Sequence, residues 1–147
     1  MAPTTSLDLE PEVLAARITD VHADDQEWLD RFQSALGRRR SGTELHRILV
    51  VWQLTKAEAG RLFGVSRQAV QKWAHGGVPA DRRTEVGDLA AVTDVLLHYL
   101  RPERIPVVVR RPFDDAGGRT LLEVAAEDPA VALAHVRAMF DLTRVQA

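Results

Sequence analysis

Side chains that can read the edges of DNA base pairs are concentrated near the middle of the chain. Arginine makes bidentate hydrogen bonds to guanine, and glutamine makes them to adenine. The arginine, glutamines and lysine at positions 67, 68, 71 and 72 fall on one face of a helix. The sequence therefore predicts that this helix enters the major groove of double-stranded DNA. The residues predicted to contact DNA are Lys56, Arg61, Ser66, Arg67, Gln68, Gln71, Lys72 and His75.

These side chains need a helix-turn-helix to hold them, and the surrounding sequence meets its structural requirements. The first helix needs a small residue where the second helix crosses it, and Gly60 lies there. It also needs a glycine at the turn, where the backbone is left-handed, and Gly64 lies there. Thr55 and Glu58 predict a capping box that begins the first helix, and Ser66 is predicted to cap the second. The residues predicted to face inward are Ala59, Phe63, Val65, Val70 and Trp73.

The charge distribution supports a DNA-facing surface in this part of the chain. The 147 residues have a net charge of only −2. Residues 38–83 carry a net charge of +7, however, whereas residues 1–37 carry −6 and residues 84–147 carry −3. A basic segment between acidic ends is typical of a protein that meets phosphates with one surface. Arg38–Arg40 and Arg82–Arg83 are candidates for phosphate contacts beside the predicted motif.

Composition disfavours several other classes of protein. The chain has no cysteine and its five histidines are dispersed, which argues against disulfides, zinc fingers and other metal sites. It has neither a phosphate loop nor a Ser/His/Asp grouping of the hydrolase type, so we expect no catalytic residues, no cofactor and no enzymatic activity. It also lacks a secretory signal and an apolar run of transmembrane length. We therefore expect a cytoplasmic protein.

Apolar residues recur at helical spacing through most of the chain, which predicts a mainly α fold built as a helical bundle. We expect an acidic helical extension over residues 1–42, interrupted near residues 23–25 and ending in a basic loop from Gly37 to Gly42. Thr43 then caps a helix that leads into a DNA-binding domain, residues 43–100, whose last helix spans about 80–100. Residues 101–147 form a small, mostly helical third domain with helices at about 120–127 and 129–142. Only Ile105–Val109, a β-branched run, departs from the helical pattern.

The third domain contains a short motif that has known relatives. The sequence R-R-P at residues 110–112 is followed by G-G-R-T at residues 117–120 and L-L-E at residues 121–123. This segment resembles the C-terminal toxin-binding domain of the Xre/MbcA/ParS antitoxins, which typically read W-L-x-x-P-N-x-x-L-G-G-x-T-P-L-E-L-L after an Xre-type helix-turn-helix. The spacing agrees without a gap from Val108 to Val124. The chain resembles a divergent member, because the family's tryptophan, asparagine, leucine and proline are replaced by Val108, Phe113, Ala116 and Leu121.

The resemblance implies two activities. Antitoxins of this family repress their own operon, and they cap the active site of a partner toxin with a RES domain, which consumes NAD⁺. The implied partners are therefore operator DNA and a RES-domain toxin. The implied toxin contacts are Arg110, Arg111, Gly117, Gly118, Arg119 and Thr120, together with the last helix, Val131–Val145.

An alternative remains open at this point. The chain could be a stand-alone helix-turn-helix repressor whose C-terminal region only dimerises. Helix-turn-helix proteins usually read two half-sites as dimers, so we expect a homodimer in either case. Its interface would lie on the acidic N-terminal helices or on the helix at about 80–100.

Overall fold

The part of the chain that the structure describes is mainly helical, which confirms the predicted mainly α fold. The computed structural model describes the backbone of residues 8–145 and the side chains of residues 8–141. Its helices are α1 (Pro11–Val21), α2 (Gln26–Val51), α3 (Lys56–Phe63), α4 (Arg67–Gly76), α5 (Arg83–Tyr99), α6 (Ile105–Val108), α7 (Leu121–Glu127) and α8 (Pro129–Val145). Short 3₁₀ turns lie at Ala80–Arg82, Pro102–Arg104 and Asp114–Ala116. Two short strands, β1 (Pro112–Phe113) and β2 (Arg119–Thr120), pair antiparallel with Pro112 opposite Thr120.

The chain divides into two compact units, with the boundary between Gly37 and Arg38. The first unit contains α1 and the beginning of α2, and none of its described residues, 8–37, is buried. In it, Trp28 stacks between His22 and Phe32, with ring centroids 3.4 and 5.1 Å away. The predicted interruption near residues 23–25 is confirmed, because α1 ends at Val21 and α2 begins at Gln26.

The prediction of a basic loop from Gly37 to Gly42 is wrong, because α2 continues through these residues to Val51. Thr43 therefore does not begin a helix, and its hydroxyl donates to the Arg39 carbonyl one turn earlier, at 3.0 Å. The glycine that suggested a loop serves packing instead. A Cβ at Gly42 would lie 3.3 Å from the Trp73 carbonyl oxygen of α4. Glycine therefore lets α2 and α4 approach closely.

One face of α5 forms the centre of the core of the second unit. This helix packs along α8, and its side chains join those of α2 and α7 in a continuous apolar cluster. Trp52, the residue after α2, is fully buried there, and its indole N–H donates to the Thr93 hydroxyl of α5 at 3.0 Å. The other fully buried members of this core include Leu45, Ile48, Val86, Leu89, Val92, Leu96 and Val136.

The β-branched run at residues 105–109 is helical, which differs from the departure that its composition suggested. It forms α6 and the residue after it. Ile105 and Val109 lie four positions apart, on one side of the helix, and both are fully buried. Pro106 suits the first turn, where its missing N–H costs nothing. Burial of this face overrides the weak preference of branched side chains for strands.

Candidate nucleic-acid interface

Two short helices, α3 and α4, carry all but one of the residues predicted to contact DNA, and each begins at a side-chain cap. The Thr55 hydroxyl accepts a hydrogen bond from the Glu58 N–H at 3.1 Å, and the Glu58 carboxylate accepts one from the Thr55 N–H at 2.8 Å. The remaining predicted residue, Ser66, caps α4 by accepting from the Ala69 N–H at 3.1 Å. These bonds satisfy N–H groups that the first turn of a helix leaves unpaired. Both predicted caps are confirmed.

The turn between α3 and α4 depends on two glycines. Gly64 follows α3 with a left-handed φ of 65°, as predicted. Gly60 lies inside α3, where a Cβ would stand only 2.6 Å from the Val65 carbonyl oxygen. The Gly60 carbonyl also accepts a hydrogen bond from the Val65 N–H at 2.8 Å. The relative position of the two helices is therefore fixed by direct backbone contact.

Apolar side chains fill the angle between α3 and α4. Phe63 and Trp73 meet edge to face, with ring centroids 6.0 Å apart. The predicted inward set is confirmed: Ala59, Phe63, Val70 and Trp73 are buried and Val65 is partly buried. With these positions facing inward, the opposite face of α4 is left to polar side chains.

That outward face combines with the start of α3 to form an open cleft. Arg67, Gln68 and Gln71 are exposed on α4. Together with Lys56 and Ala57 of α3, they line a cleft of about 380 Å³. Cationic side chains bind phosphate oxygens, and primary amides can pair with base edges. The structure thus brings four of the eight predicted residues to one place.

The other four predicted residues lie outside this cleft. Lys72 is exposed on α4, and Ser66 is the N-cap of this helix. The Nδ1 atom of His75 lies 2.9 Å from the Gln71 carbonyl oxygen within the same helix. Arg61 lines a second cleft of about 330 Å³, whose walls come from α3 and from α7.

The C-terminal end of α4 packs tightly against α2. Gly77 follows α4 with φ of 95°, and a Cβ there would lie 2.5 Å from the Arg38 carbonyl oxygen. Ser41 of α2 is buried; its hydroxyl donates to the Arg38 carbonyl at 2.9 Å and accepts from the Val78 N–H at 3.0 Å. Small residues at this crossing therefore fix the orientation of α4.

Two arginines expected at phosphates are engaged within the chain. Arg82 donates to the Phe63 carbonyl at 2.8 Å and to both oxygens of Glu85 at 2.9 Å. Its guanidinium also lies 5.8 Å from the centre of the Trp73 ring. Arg83 donates to a carbonyl oxygen at 3.1 Å. These side chains fasten the connection from α4 to α5.

Arg110, for which the resemblance implies a toxin contact, is also engaged within the chain. Its Nη1 donates to the carbonyls of Trp52 and Pro106, at 2.9 and 2.8 Å. Its Nη2 donates to the Gln53 carbonyl at 2.9 Å and to Glu58 Oε2 at 3.1 Å. Three of these partners lie more than 50 positions away in the chain, so no local pattern in the sequence could indicate the role.

Glu58 is consequently shared between two elements. It completes the cap of α3 and also binds Arg110. The Thr55 N–H, and after it the Arg110 guanidinium, hold the pKa of the Glu58 carboxyl below its ordinary value of 4.5.

The other residues of the implied toxin-binding segment surround the β1–β2 loop. Gly117 and Gly118 are exposed and left-handed, with φ of 69° and 78°. Thr120 caps α7 in a second capping box, with Glu123. Arg119 forms an ion pair with Glu127 and donates to a carbonyl oxygen at 3.2 Å. Arg111 is exposed, and the predicted contact helix continues past residue 141, outside the described side chains.

The fold of this chain is similar to that of a chain in a solved structure. No family model matches the chain, and no curated protein is significantly similar to it in sequence. A chain in the crystal structure of the M. tuberculosis MbcT–MbcA toxin-antitoxin complex is similar with a TM-score of 0.56 and 23% sequence identity. The similarity covers 67% of this chain and 91% of that chain. The fold is MbcA-like.

Two further features are absent from the part of the chain that the structure describes. Its His, Asp and Glu side chains form no group of three or more that could hold a metal ion. None of its described helices is long and apolar enough to cross a membrane.

Proposed function

We propose that this chain is a DNA-binding antitoxin. It binds operator DNA by placing α4 in the major groove, and it neutralises a RES-domain toxin through its C-terminal segment. The cleft between α3 and α4 carries the DNA-binding half of the proposal, because exposed cations and amides meet there on helices that Gly60 holds in fixed register. The MbcA-like fold supports the toxin-binding half. Neither role requires catalysis by this chain.

Within the proposal, the side chains around the cleft divide the work of recognition. Arg67 and Gln71 pair with base edges, and each bidentate pair is worth about 1–3 kcal/mol of discrimination. Lys56 neutralises a phosphate, which positions the protein without reading sequence. The remaining proposed DNA contacts are Arg61, Ser66, Gln68, Lys72 and His75.

Sequencing the DNA that the full chain binds identifies its operator. Operator fragments then test the DNA-binding half of the proposal. Arg67→Ala and Gln71→Ala should each weaken binding by about 1–3 kcal/mol and leave the melting temperature unchanged. Arg104→Ala is the matched control, since it removes a charge from an exposed position outside α3 and α4. If the double variant Arg67→Ala/Gln71→Ala kept full affinity at physiological salt, α4 would not be the recognition helix.

The toxin-binding half rests on the exposed surface around the β1–β2 loop. We propose contacts from Arg111, Gly117, Gly118, Arg119 and Thr120, and from α8. Arg110 contributes to toxin binding only indirectly, because its N–H donors are already occupied by acceptors within the chain.

Co-expression with a RES-domain toxin encoded beside this chain tests that half. The double variant Arg111→Glu/Arg119→Glu should lose neutralisation, seen as cellular NAD⁺ depletion and growth arrest, while its operator affinity stays at the wild-type value. Glu103→Lys, a charge reversal at an exposed position before α6, should neutralise normally. A wild-type chain that fails to neutralise the toxin but still represses would favour the alternative, a stand-alone repressor whose C-terminal region only dimerises.

We also propose a homodimer formed through the first unit. The alternative interface, α5, contributes its apolar face to the core of the second unit, where Val86 and Leu89 are fully buried. The first unit, in contrast, leaves Val13, Val21 and Leu36 exposed by 51%, 72% and 53%. Burying such side chains against a second copy would be favourable.

Light scattering on the full chain measures its molar mass, and therefore its oligomeric state, directly. The wild type should be a dimer, and Val21→Asp/Leu36→Asp should be a monomer with an unchanged melting temperature of the second unit. A monomeric wild type at micromolar concentration would contradict the proposal.

A further inference from the structure

Arg110 connects three separate parts of the second unit. The residue follows α6, but its acceptors include the Trp52 and Gln53 carbonyls at the end of α2 and the Glu58 carboxylate in the first turn of α3. A guanidinium presents five N–H donors in one plane, whereas a lysine ammonium is a compact point charge. Only arginine can therefore hold these acceptors together in this geometry.

The corner between α2 and α3, residues 52–55, is bound by Arg110 and has a strained backbone. Gln53 has φ of 51°, the only positive φ of a non-glycine residue in the described part of the chain. Residues with a side chain avoid this conformation unless their surroundings impose it. Here the Gln53 carbonyl is held by Arg110 Nη2, and the next N–H, of Leu54, donates to the Leu49 carbonyl at 2.9 Å. The direction in which the chain leaves α2 depends on these bonds.

This corner leads directly into one wall of the proposed DNA-binding cleft. Lys56 and Ala57, in the first turn of α3, line the cleft together with Arg67 and Gln71 of α4. Glu58, in the same turn, forms an ion pair with Arg110, which follows α6. A change in the position of this turn would change the distance between the proposed phosphate contact and the base-reading side chains.

We propose that Arg110 is a positioning residue for DNA binding. It sets the start of α3 through the Gln53 corner and Glu58, and it touches no DNA itself. The inference rests on the DNA-binding function proposed above. Its consequence is that the helix-turn-helix is incomplete without residues from the segment that follows α5, which the sequence resemblance implies for toxin binding.

Operator affinity of the full chain tests this role. Arg110→Lys keeps the positive charge and loses the fork, so we expect both Arg110→Lys and Arg110→Ala to bind operator about tenfold more weakly. The control Arg104→Lys should bind as the wild type does. The slope of log affinity against log salt should be unchanged in Arg110→Ala, because a variant that neutralises one phosphate fewer has a slope smaller by about 0.9. Wild-type affinity in Arg110→Lys, or a reduced slope in Arg110→Ala, would overturn the inference.

A second variant separates positioning from stability. Gln53→Gly removes the strain of the left-handed residue, so it should raise the melting temperature of Arg110→Ala toward that of the wild type. If Arg110 positions α3, operator affinity stays about tenfold weaker in this double variant. Recovery of affinity along with the melting temperature would show that Arg110 only stabilises the fold. A wild-type chain with no operator affinity would instead refute DNA binding itself, and with it this inference.

Discussion

Gly77 and Gly76 are adjacent, yet alanine should have opposite effects on stability at the two positions. Gly77 has φ of 95° and ψ of 159°, a region of backbone space that is almost restricted to glycine. A Cβ at this position would also lie 2.5 Å from the Arg38 carbonyl oxygen, 2.7 Å from the Arg38 Cβ and 2.9 Å from its carbonyl carbon. None of these atoms can rotate away, because they belong to the backbone of α2 or are attached directly to it.

The cost of Gly77→Ala follows from these two effects. The disfavoured backbone conformation costs about 1–3 kcal/mol, and overpacking against a rigid neighbour costs about 1–3 kcal/mol more. The free energy of unfolding should therefore fall by about 4 kcal/mol, a large part of the 5–15 kcal/mol typical of a folded domain. For a unit of this size, the melting temperature should fall by roughly 15 °C.

The matched control is Gly76→Ala. Gly76 is the last residue of α4, and nothing lies within 4 Å of a Cβ built there. Alanine has a higher helix propensity than glycine, so this variant should gain about 0.5 kcal/mol. Urea denaturation followed by circular dichroism measures both free energies. If Gly77→Ala unfolded at the wild-type urea concentration, the close approach of α4 to α2 described above would be incorrect.

Two further predictions concern polar contacts that hold the α2–α3 corner and the core. The pKa of Glu58 is lowered by folding, so its contribution to stability is present above pH 4.5 and is lost as the pH falls below that value; Glu58→Gln should lose about 1 kcal/mol at pH 7 and show a weaker loss of stability below pH 4.5 in acid titrations followed by circular dichroism. Thr93→Val should cost about 1–3 kcal/mol in urea denaturation, because the buried Trp52 N–H would lose its acceptor, whereas Thr43→Val, at an exposed position of α2, should cost much less.

Features that depend on a few neighbouring residues could be predicted from the sequence. The capping boxes at Thr55 and Thr120 need only one hydroxyl and one carboxylate three positions apart. The glycines at positions 60 and 64 are required by the turn itself, whatever surrounds it. Because these requirements are local, the helices and inward face of the motif were predicted correctly.

Features that depend on distant parts of the chain could not be predicted in this way. Gly42 indicates a loop in the sequence, but in the fold it lies against the Trp73 carbonyl and belongs to a continuous helix. Ile105 and Val109 suggest an extended segment, yet burial on one side makes that segment helical. In each case the partner that decides the conformation lies far away along the chain. The same holds for Arg110 at the candidate site. Arg110 binds Glu58 whereas its neighbour Arg111 is exposed, and nothing in the local sequence distinguishes these two arginines.

Contacts within the chain also reduce the number of cations in residues 38–83 that are free to bind DNA phosphates. Arg47 is paired with Asp94 and Arg40 with Glu44, and Arg82 and Arg83 are bound to acceptors within the chain. Besides Arg38 and Arg39 of α2, the exposed cations that remain in this segment are the four on α3 and α4, namely Lys56, Arg61, Arg67 and Lys72. Because each neutralised phosphate contributes about 0.9 to the slope of log affinity against log salt, these four should give a slope of about 3–4 per chain on duplex DNA. A slope above roughly 6 per chain, measured by fluorescence anisotropy across a salt series, would mean that the internally paired arginines also reach phosphates. The internal bonds that hold α3, α4 and α5 together would then have to break on binding.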